Sequence, residues 1–206
     1  YTTLSLPVQQ AAYDTVTQTL DLPGDPAASI VALDDRGRVR AMMGGTDFAN
    51  QSVNLAVGVE GGGSGRQPGS SFKPFAIAAA LREGYSAEAR MTVPGSAAFN
   101  LSDYGAGGGT WRVSGGGGNY NMMTALPHSS NMFFATLMLK LGAHNVIQTA
   151  EQMGITAELP EVPSIVLGAG EVSPLDMASA YSTFMNHGTH YEPQVISRVE
   201  DDEGNV

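Results

Sequence analysis

A mixed α/β (α+β) fold is what these 206 residues predict. Two observations carry it. An alternating apolar pattern around a turn at 29–43 reads as a β-hairpin, and apolar residues at helical spacing recur before it, after it and again from about 132 to 186. The apolar fraction of 42% suffices for a real core, and with only 15% charged residues the chain is globular rather than disordered. The length fits one domain of ordinary size, or most of a larger one.

Taken in order, Val8, Ala12, Val16 and Leu20 recur every fourth position, which predicts an amphipathic helix. Ser5 is placed to cap it, and Pro7 is harmless in a first turn. Leu22 to Pro26 is a Pro/Gly loop. Residues 29–33 then read as a strand, Asp34-Asp35-Arg36-Gly37 as a turn, and Val39 to Met43 as the returning strand. Gly44 to Gly69 is a long, polar, Gly-rich loop of the kind that often carries function. From Ser71 to Glu83 an alanine-rich run at helical spacing predicts a closely packed, buried helix that ends at Gly84.

Residues 85–121 read as irregular, with glycine clusters at 105–109 and 115–118 around Trp111. They do not make a phosphate loop. Lys73 is followed by Pro74, so G-x-x-x-x-G-K-[ST] is absent, and no G-x-G-x-x-G lies between a strand and a helix. Helices follow at about 132–141, 144–153 and 174–186; the last opens on Ser173-Pro174-Leu175-Asp176, a good N-cap with an acid in the first turn. Glu200 to Asn205 reads as a turn.

The net charge of −10 argues against a nucleic-acid partner, and the ten Lys and Arg are scattered rather than gathered into a membrane-binding run. There is no cysteine, hence no disulfide and no thiolate metal site. No signal peptide or long apolar span is present, so any membrane anchor is expected outside this chain. His128, His144, His187 and His190 are too dispersed for a metal site; the last two flank Gly188 and read as a surface loop. Trp111 and Tyr120 are either packing residues or lining for a cleft mouth.

Only two lysines occur, Lys73 and Lys140, against eight arginines. Lys73 falls three residues after Ser70, and Pro74 sets the start of a helix near Ser70 or Ser71. Residues three apart on a helix are neighbours, so the hydroxyl and the amine are within reach. A serine needs a base to become nucleophilic, and a buried lysine can give up its proton where an arginine cannot. Ser-x-x-Lys by itself is equally an N-cap and a solvated lysine. The buried character of the helix and a second polar cluster, Ser129-Ser130-Asn131 before an apolar helix, favour chemistry. That cluster also reads as a simple helix cap.

RQPGSSFKPF resembles the nucleophile motif of the transpeptidase domain of class A, bifunctional penicillin-binding proteins. TTLSLPVQQAA resembles that domain's first helix, SIVALDDRGRVRAMMGG its first hairpin, and TALPHSSNMFFATLMLKLG its second motif. The segment from VLGAGEVSPLDM to the last residue resembles the stretch before its third motif. The resemblance runs through nearly the whole chain in order. It implies a penicillin-binding-protein/serine β-lactamase-like fold: a central antiparallel sheet flanked by helices, with an all-helical subdomain. Residues 1–206 would form the N-terminal part of one transpeptidase domain, with 1–44 as first helix and hairpin and 66–186 as the mainly helical part.

By this resemblance Ser70 is the acylated nucleophile, Lys73 its general base, Ser129 the proton carrier to the leaving amine, and Asn131 a substrate contact. The Ser70 N–H would supply half of an oxyanion hole. The implied partners are peptidoglycan stem peptides and β-lactam antibiotics, with no cofactor and no metal, acting on the extracytoplasmic face of the bacterial cytoplasmic membrane. The third motif, Lys-Thr/Ser-Gly, is absent. A sheet incomplete in this chain, with an exposed edge on the hairpin, and a second polypeptide carrying the rest of the domain are therefore expected. A serine β-lactamase, a penicillin-binding sensor and a non-catalytic peptidoglycan-docking domain are the rival readings.

Overall fold

The computed structural model describes residues 1–206. Its elements are helices α1 (Leu6–Thr19), α2 (Lys73–Arg82), α3 (Met122–Ala125), α4 (Asn131–Leu141), α5 (Ala143–Gln152) and α6 (Pro174–Met185). The strands are β1 (Ile30–Leu33), β2 (Val39–Met43), β3 (Met91–Val93), β4 (Ser96–Asn100), β5 (Thr110–Ser114) and β6 (Gly118–Tyr120). No helix is long and apolar enough to cross a membrane. The chain divides into two units. One comprises Tyr1–Arg66, Gln152–Ala157 and Val172–Val206; the other comprises Gln67–Glu151 and Glu158–Glu171.

In the first unit α1 buries Ala12 and Val16, while Leu6 and Val8 stay exposed. Ser5 occupies the N-cap position, but its side chain makes no cap bond; its carbonyl accepts from Gln9 N–H at 2.8 Å, and its own N–H donates to Arg40 O at 2.8 Å. The expected side-chain cap is thus absent, and Pro7 alone pre-sets the first turn. Gln9 fixes the helix to β2 through both ends of its amide, donating to Met42 O at 3.0 Å and accepting from Met42 N at 2.9 Å.

The hairpin forms as expected, with Ile30 opposite Met43 and Ala32 opposite Ala41, and a register shift between Ala32 and Leu33. In its turn, Asp34 Oδ1 accepts from the backbone of Arg36 and Arg38. β2 alternates, with Val39, Ala41 and Met43 buried, and β1 is half-buried throughout. The sheet holds these two strands only. Part of the expected 44–69 loop is ordered as a 3-10 turn, Leu55–Gly61, capped by Asn54 Oδ1 on Ala56 N–H. Helix α6 belongs to this unit and carries a reciprocal cap: Ser173 Oγ accepts from Asp176 N–H, and Asp176 Oδ2 accepts from Ser173 N–H.

The second unit is built on α2 and α4. Phe72, Phe75, Ala76, Ala79 and Ala80 are buried on one side, and Met132, Phe133, Phe134, Leu137 and Met138 on the other. Alanines let the α2 backbone come close to the large residues of α4, and the Phe72 and Phe75 rings meet edge-on at 4.9 Å. The expected helices at 132–141 and 144–153 are α4, which starts one residue earlier, and α5, which lies one residue earlier at both ends.

The irregular reading of 85–121 needs correction. Two antiparallel pairs form there: β3 with β6, and β4 with β5 over five residues from Ser96↔Ser114 to Asn100↔Thr110. Alternation was present in the sequence. Ala97, Phe99, Trp111 and Val113 face inward and their neighbours outward, but the glycines of the connecting turns masked it. Trp111 packs against Phe99 at 6.0 Å between ring centroids, which is the packing alternative.

The α6 cap gives a direct test. Ser173→Ala removes one half of a reciprocal pair, and a loss of about 1 kcal/mol in urea-unfolding stability is expected.

Candidate functional site

Ser70 lies in a 3-10 turn, Gly69–Phe72, that runs straight into α2, and Lys73 is the first residue of that helix. Pro74 in the first turn accounts for the junction, because its missing N–H costs nothing there. The turn is held closely: a Cβ on Gly168 would stand 2.2 Å from Gly69 N, so the 163–168 segment can lie against the motif only with glycine there. Ser70 is exposed, whereas Lys73 is fully buried. The Lys73 Nζ is 3.0 Å from Ser70 Oγ.

From the start of α4 come the other partners of the amine. Lys73 Nζ donates to Ser129 O at 2.8 Å and to Asn131 Oδ1 at 2.8 Å, and it lies 2.8 Å from Ser129 Oγ. Ser129 Oγ donates to Ser70 Oγ at 2.9 Å. Ser129 has φ +48, a left-handed backbone that a non-glycine residue rarely adopts. In that conformation its carbonyl and its hydroxyl both meet the same amine. The four residues singled out in the sequence are therefore together. Ser130, between two of them, is the N-cap of α4, its Oγ accepting from Phe133 N–H at 3.1 Å.

No carboxylate bonds to Lys73. Burial holds its amine below the usual lysine range. The Phe134 ring, 5.5 Å away, favours the charged form, but a cation–π contact is worth about 0.5–2 kcal/mol. Taking an unpaired ion out of water costs several kcal/mol, so desolvation wins. A neutral amine also fits these partners: Ser129 O and Asn131 Oδ1 can only accept, its two N–H groups serve them, and its lone pair is left for the Ser70 O–H, the Ser129 O–H being given to Ser70 Oγ. The arrangement can take a proton from Ser70 and offer it back through Ser129.

Asn131 differs from expectation in one respect. Besides facing the site, it holds the amine through Oδ1, while its Nδ2 donates to Ser114 O at 3.2 Å. Sequence reasoning missed Ser114 and its glycine neighbours; the signal was the 115–118 cluster, weighed only as a phosphate loop. Tyr120 stacks near His128, whose Nδ1 bonds Thr124 O at 2.8 Å. His190 is half-buried on Ser179 at 2.8 Å, and His187 is exposed. No group of three or more His, Cys, Asp or Glu is placed to hold a metal.

Comparison with known proteins gives a consistent result. The family described as penicillin binding protein transpeptidase domain matches residues 28–206. Penicillin-binding protein 2D of Bacillus subtilis is 32% identical over 100% of this chain, and penicillin-binding protein 1A of Neisseria meningitidis serogroup B is 36% identical over 86% of it. The chain spans 29% and 22% of those relatives. Among solved structures, the penicillin-binding protein PonA1 of Mycobacterium tuberculosis matches 100% of the chain at TM-score 0.82 and 30% identity, over 54% of its own length. The same protein in complex with penicillin V matches at TM-score 0.81 and 29% identity, the chain covering 56% of it.

The buried amine makes stability depend on pH. The unfolded state holds its lysine proton up to about pH 10.5, while the folded state releases it earlier, so stability rises with pH between the two. Urea midpoints should rise from the lowered Lys73 pKa towards that value in the wild type, and the difference from Lys73→Met, which lacks the group, should carry that slope.

Proposed function

The chain belongs to the penicillin-binding protein transpeptidase family, and on that premise we propose that it acts as a D,D-transpeptidase on peptidoglycan stem peptides. The observation that carries this reading is one amine within 3.0 Å of the Ser70 and Ser129 hydroxyls and Asn131 Oδ1, with both serines accessible and the amine buried. Lys73 takes the Ser70 proton as Ser70 Oγ attacks the penultimate D-Ala carbonyl. The amide C–N bond breaks, Ser129 relays a proton to the leaving D-Ala amine, and an ester remains on Ser70. An amine of a neighbouring stem then attacks that ester. Its nitrogen bonds the acyl carbon, the C–O bond breaks, and the proton the attacking amine loses passes by way of Ser129 and Lys73 to Ser70 Oγ.

Asn131 Nδ2 keeps a second N–H for a substrate amide carbonyl, and the Ser70 N–H serves as one oxyanion donor; such donors are each worth about 3 kcal/mol. The other donor, and the grip on the substrate carboxylate, fall to a Lys-Thr/Ser-Gly strand, a motif absent from residues 1–206. In this reading a strand with that motif, on the same polypeptide or on a second one, completes the site, and intact mass of the purified protein separates the two cases. The site of action in this reading is the extracytoplasmic face of the bacterial cytoplasmic membrane. The proposed inhibitors are β-lactams, which acylate Ser70 and leave its ester in place.

A fluorescent penicillin should label the intact protein durably and leave Ser70→Ala unlabelled. Lys73→Arg should lower the labelling rate by about 10²–10⁴-fold, because the guanidinium keeps its proton. Quick loss of label would instead mark a β-lactamase, and no label a docking domain. Cross-linking of a stem-peptide or thioester donor to an amine separates a synthase from a sensor.

A further inference from the structure

Three consecutive carbonyls at the end of β5 are occupied by three consecutive residues of the α4 cap. Ser114 O accepts from Asn131 Nδ2 at 3.2 Å, Gly115 O from Met132 N–H at 3.1 Å, and Gly116 O from Ser130 Oγ. The strand end is itself tied back, Gly115 N–H donating to Gly95 O at 2.9 Å. On the other side, Ser129 N–H and Ser130 N–H bond Leu126 O and Ala125 O at the end of α3. Ser129, with its left-handed backbone, is thus strung between two anchors, and the fully buried Ser130 is the link to the strand.

Space at this contact leaves no freedom. Gly116 has φ +74, and a Cβ there would stand 2.6 Å from Ser130 Cα and 2.9 Å from its Oγ. The backbone at 116 must be both left-handed and bare, which only glycine satisfies at no cost. A left-handed serine costs on the order of 1–3 kcal/mol and persists only where its surroundings over-determine it. Here they do so at the residue whose carbonyl and hydroxyl both reach Lys73.

We propose that Ser130 and Gly116 are positioning residues for the Lys73 base: the Ser130 hydroxyl, held on the Gly116 carbonyl, keeps Ser129 in its strained conformation and the Asn131 amide turned with Oδ1 on the amine. Neither touches substrate in this reading. The inference rests on the proposed acylation chemistry, and it predicts more than a loss of stability. Without the link, Ser129 and Asn131 relax, water reaches the amine, and its desolvation weakens. The groups facing Lys73 from α2, α4, the Gly69–Phe72 turn and the 163–168 segment include no carboxylate. The charged residues of those helices, Arg82 and Lys140, lie near their far ends, so water entry is the effect that moves the titration.

The experiment uses the intact protein. Penicillin acylation rates are measured against pH for wild type, Ser130→Ala and Ser130→Thr. Lys73 is titrated directly by NMR of lysine labelled at Cε, its signal assigned by its absence in Lys73→Arg; Lys140 is this chain's one other lysine. In Ser130→Ala the Lys73 midpoint and the acid limb of acylation should both move up by about one pH unit. Acylation should fall about tenfold below the limb and recover above it. Ser130→Thr, which keeps the hydroxyl, should restore the wild-type midpoint. An unmoved Lys73 midpoint in Ser130→Ala overturns the proposal, whatever the change in melting temperature. If the wild type itself is not acylated at Ser70, the transpeptidase reading fails instead, while the lysine titration still decides the role of Ser130.

Discussion

A single amine, buried without a counter-ion, is the constraint from which the second unit is organised. Lys73 has no exposed surface and no acidic partner, and every group that meets its nitrogen is neutral. A carboxylate in place of Asn131 would stabilise the ammonium and raise its pKa, which destroys a base. Neutral carbonyl and amide oxygens orient the nitrogen without holding it in the charged state. The same logic excludes arginine at this position, since the guanidinium does not release a proton in a usable range.

The surrounding packing follows from that amine. The alkyl stem of Lys73 behaves as an apolar side chain in the α2–α4 core, beside Phe72, Phe75 and Phe134, and the amine alone needs polar company. The chain provides it at one place, the start of α4, where backbone groups are free of helical bonding. Because the α4 residues that follow are large and apolar, the polar cluster cannot shift along the helix without exposing Met132 to Phe134 or burying Asn131. The position of Ser129 and Asn131 is thus fixed by the core on one side and by the strand carbonyls on the other.

How far the sequence disclosed this depended on the range of each signal. Helices α4, α5 and α6 were legible because their spacing, caps and breakers lie within a few residues of one another, as in Ser173-Pro174-Leu175-Asp176. Ser70 and Lys73 were legible for the same reason, being three apart with Pro74 marking the helix start. Ser5 stands at the N-cap position as expected but makes no side-chain cap bond, since residue type alone does not set where a hydroxyl points. The β4–β5 ribbon was hidden because glycine-rich turns outweighed five-residue strands whose alternation is short. What the glycines at 115 and 116 do was not readable at all: their partners, Ser130 and Met132, lie in a different element, and close approach between elements leaves no local pattern.

Exposure divides the labour within the cluster. Ser70 and Ser129 face solvent and Lys73 does not, although all three are joined by bonds of 3.0 Å or less. A nucleophile and a proton carrier must meet a substrate, so their hydroxyls need access. A base must be poised near its working pH, so its nitrogen needs a dry environment. A serine can stand at such a boundary because its neutral hydroxyl costs little on either side of it, and a lysine can span it because a long stem brings the amine up from below. In the proposed reaction the exposed seryl oxygen is therefore activated from the protein side, on the side away from solvent where Lys73 is buried.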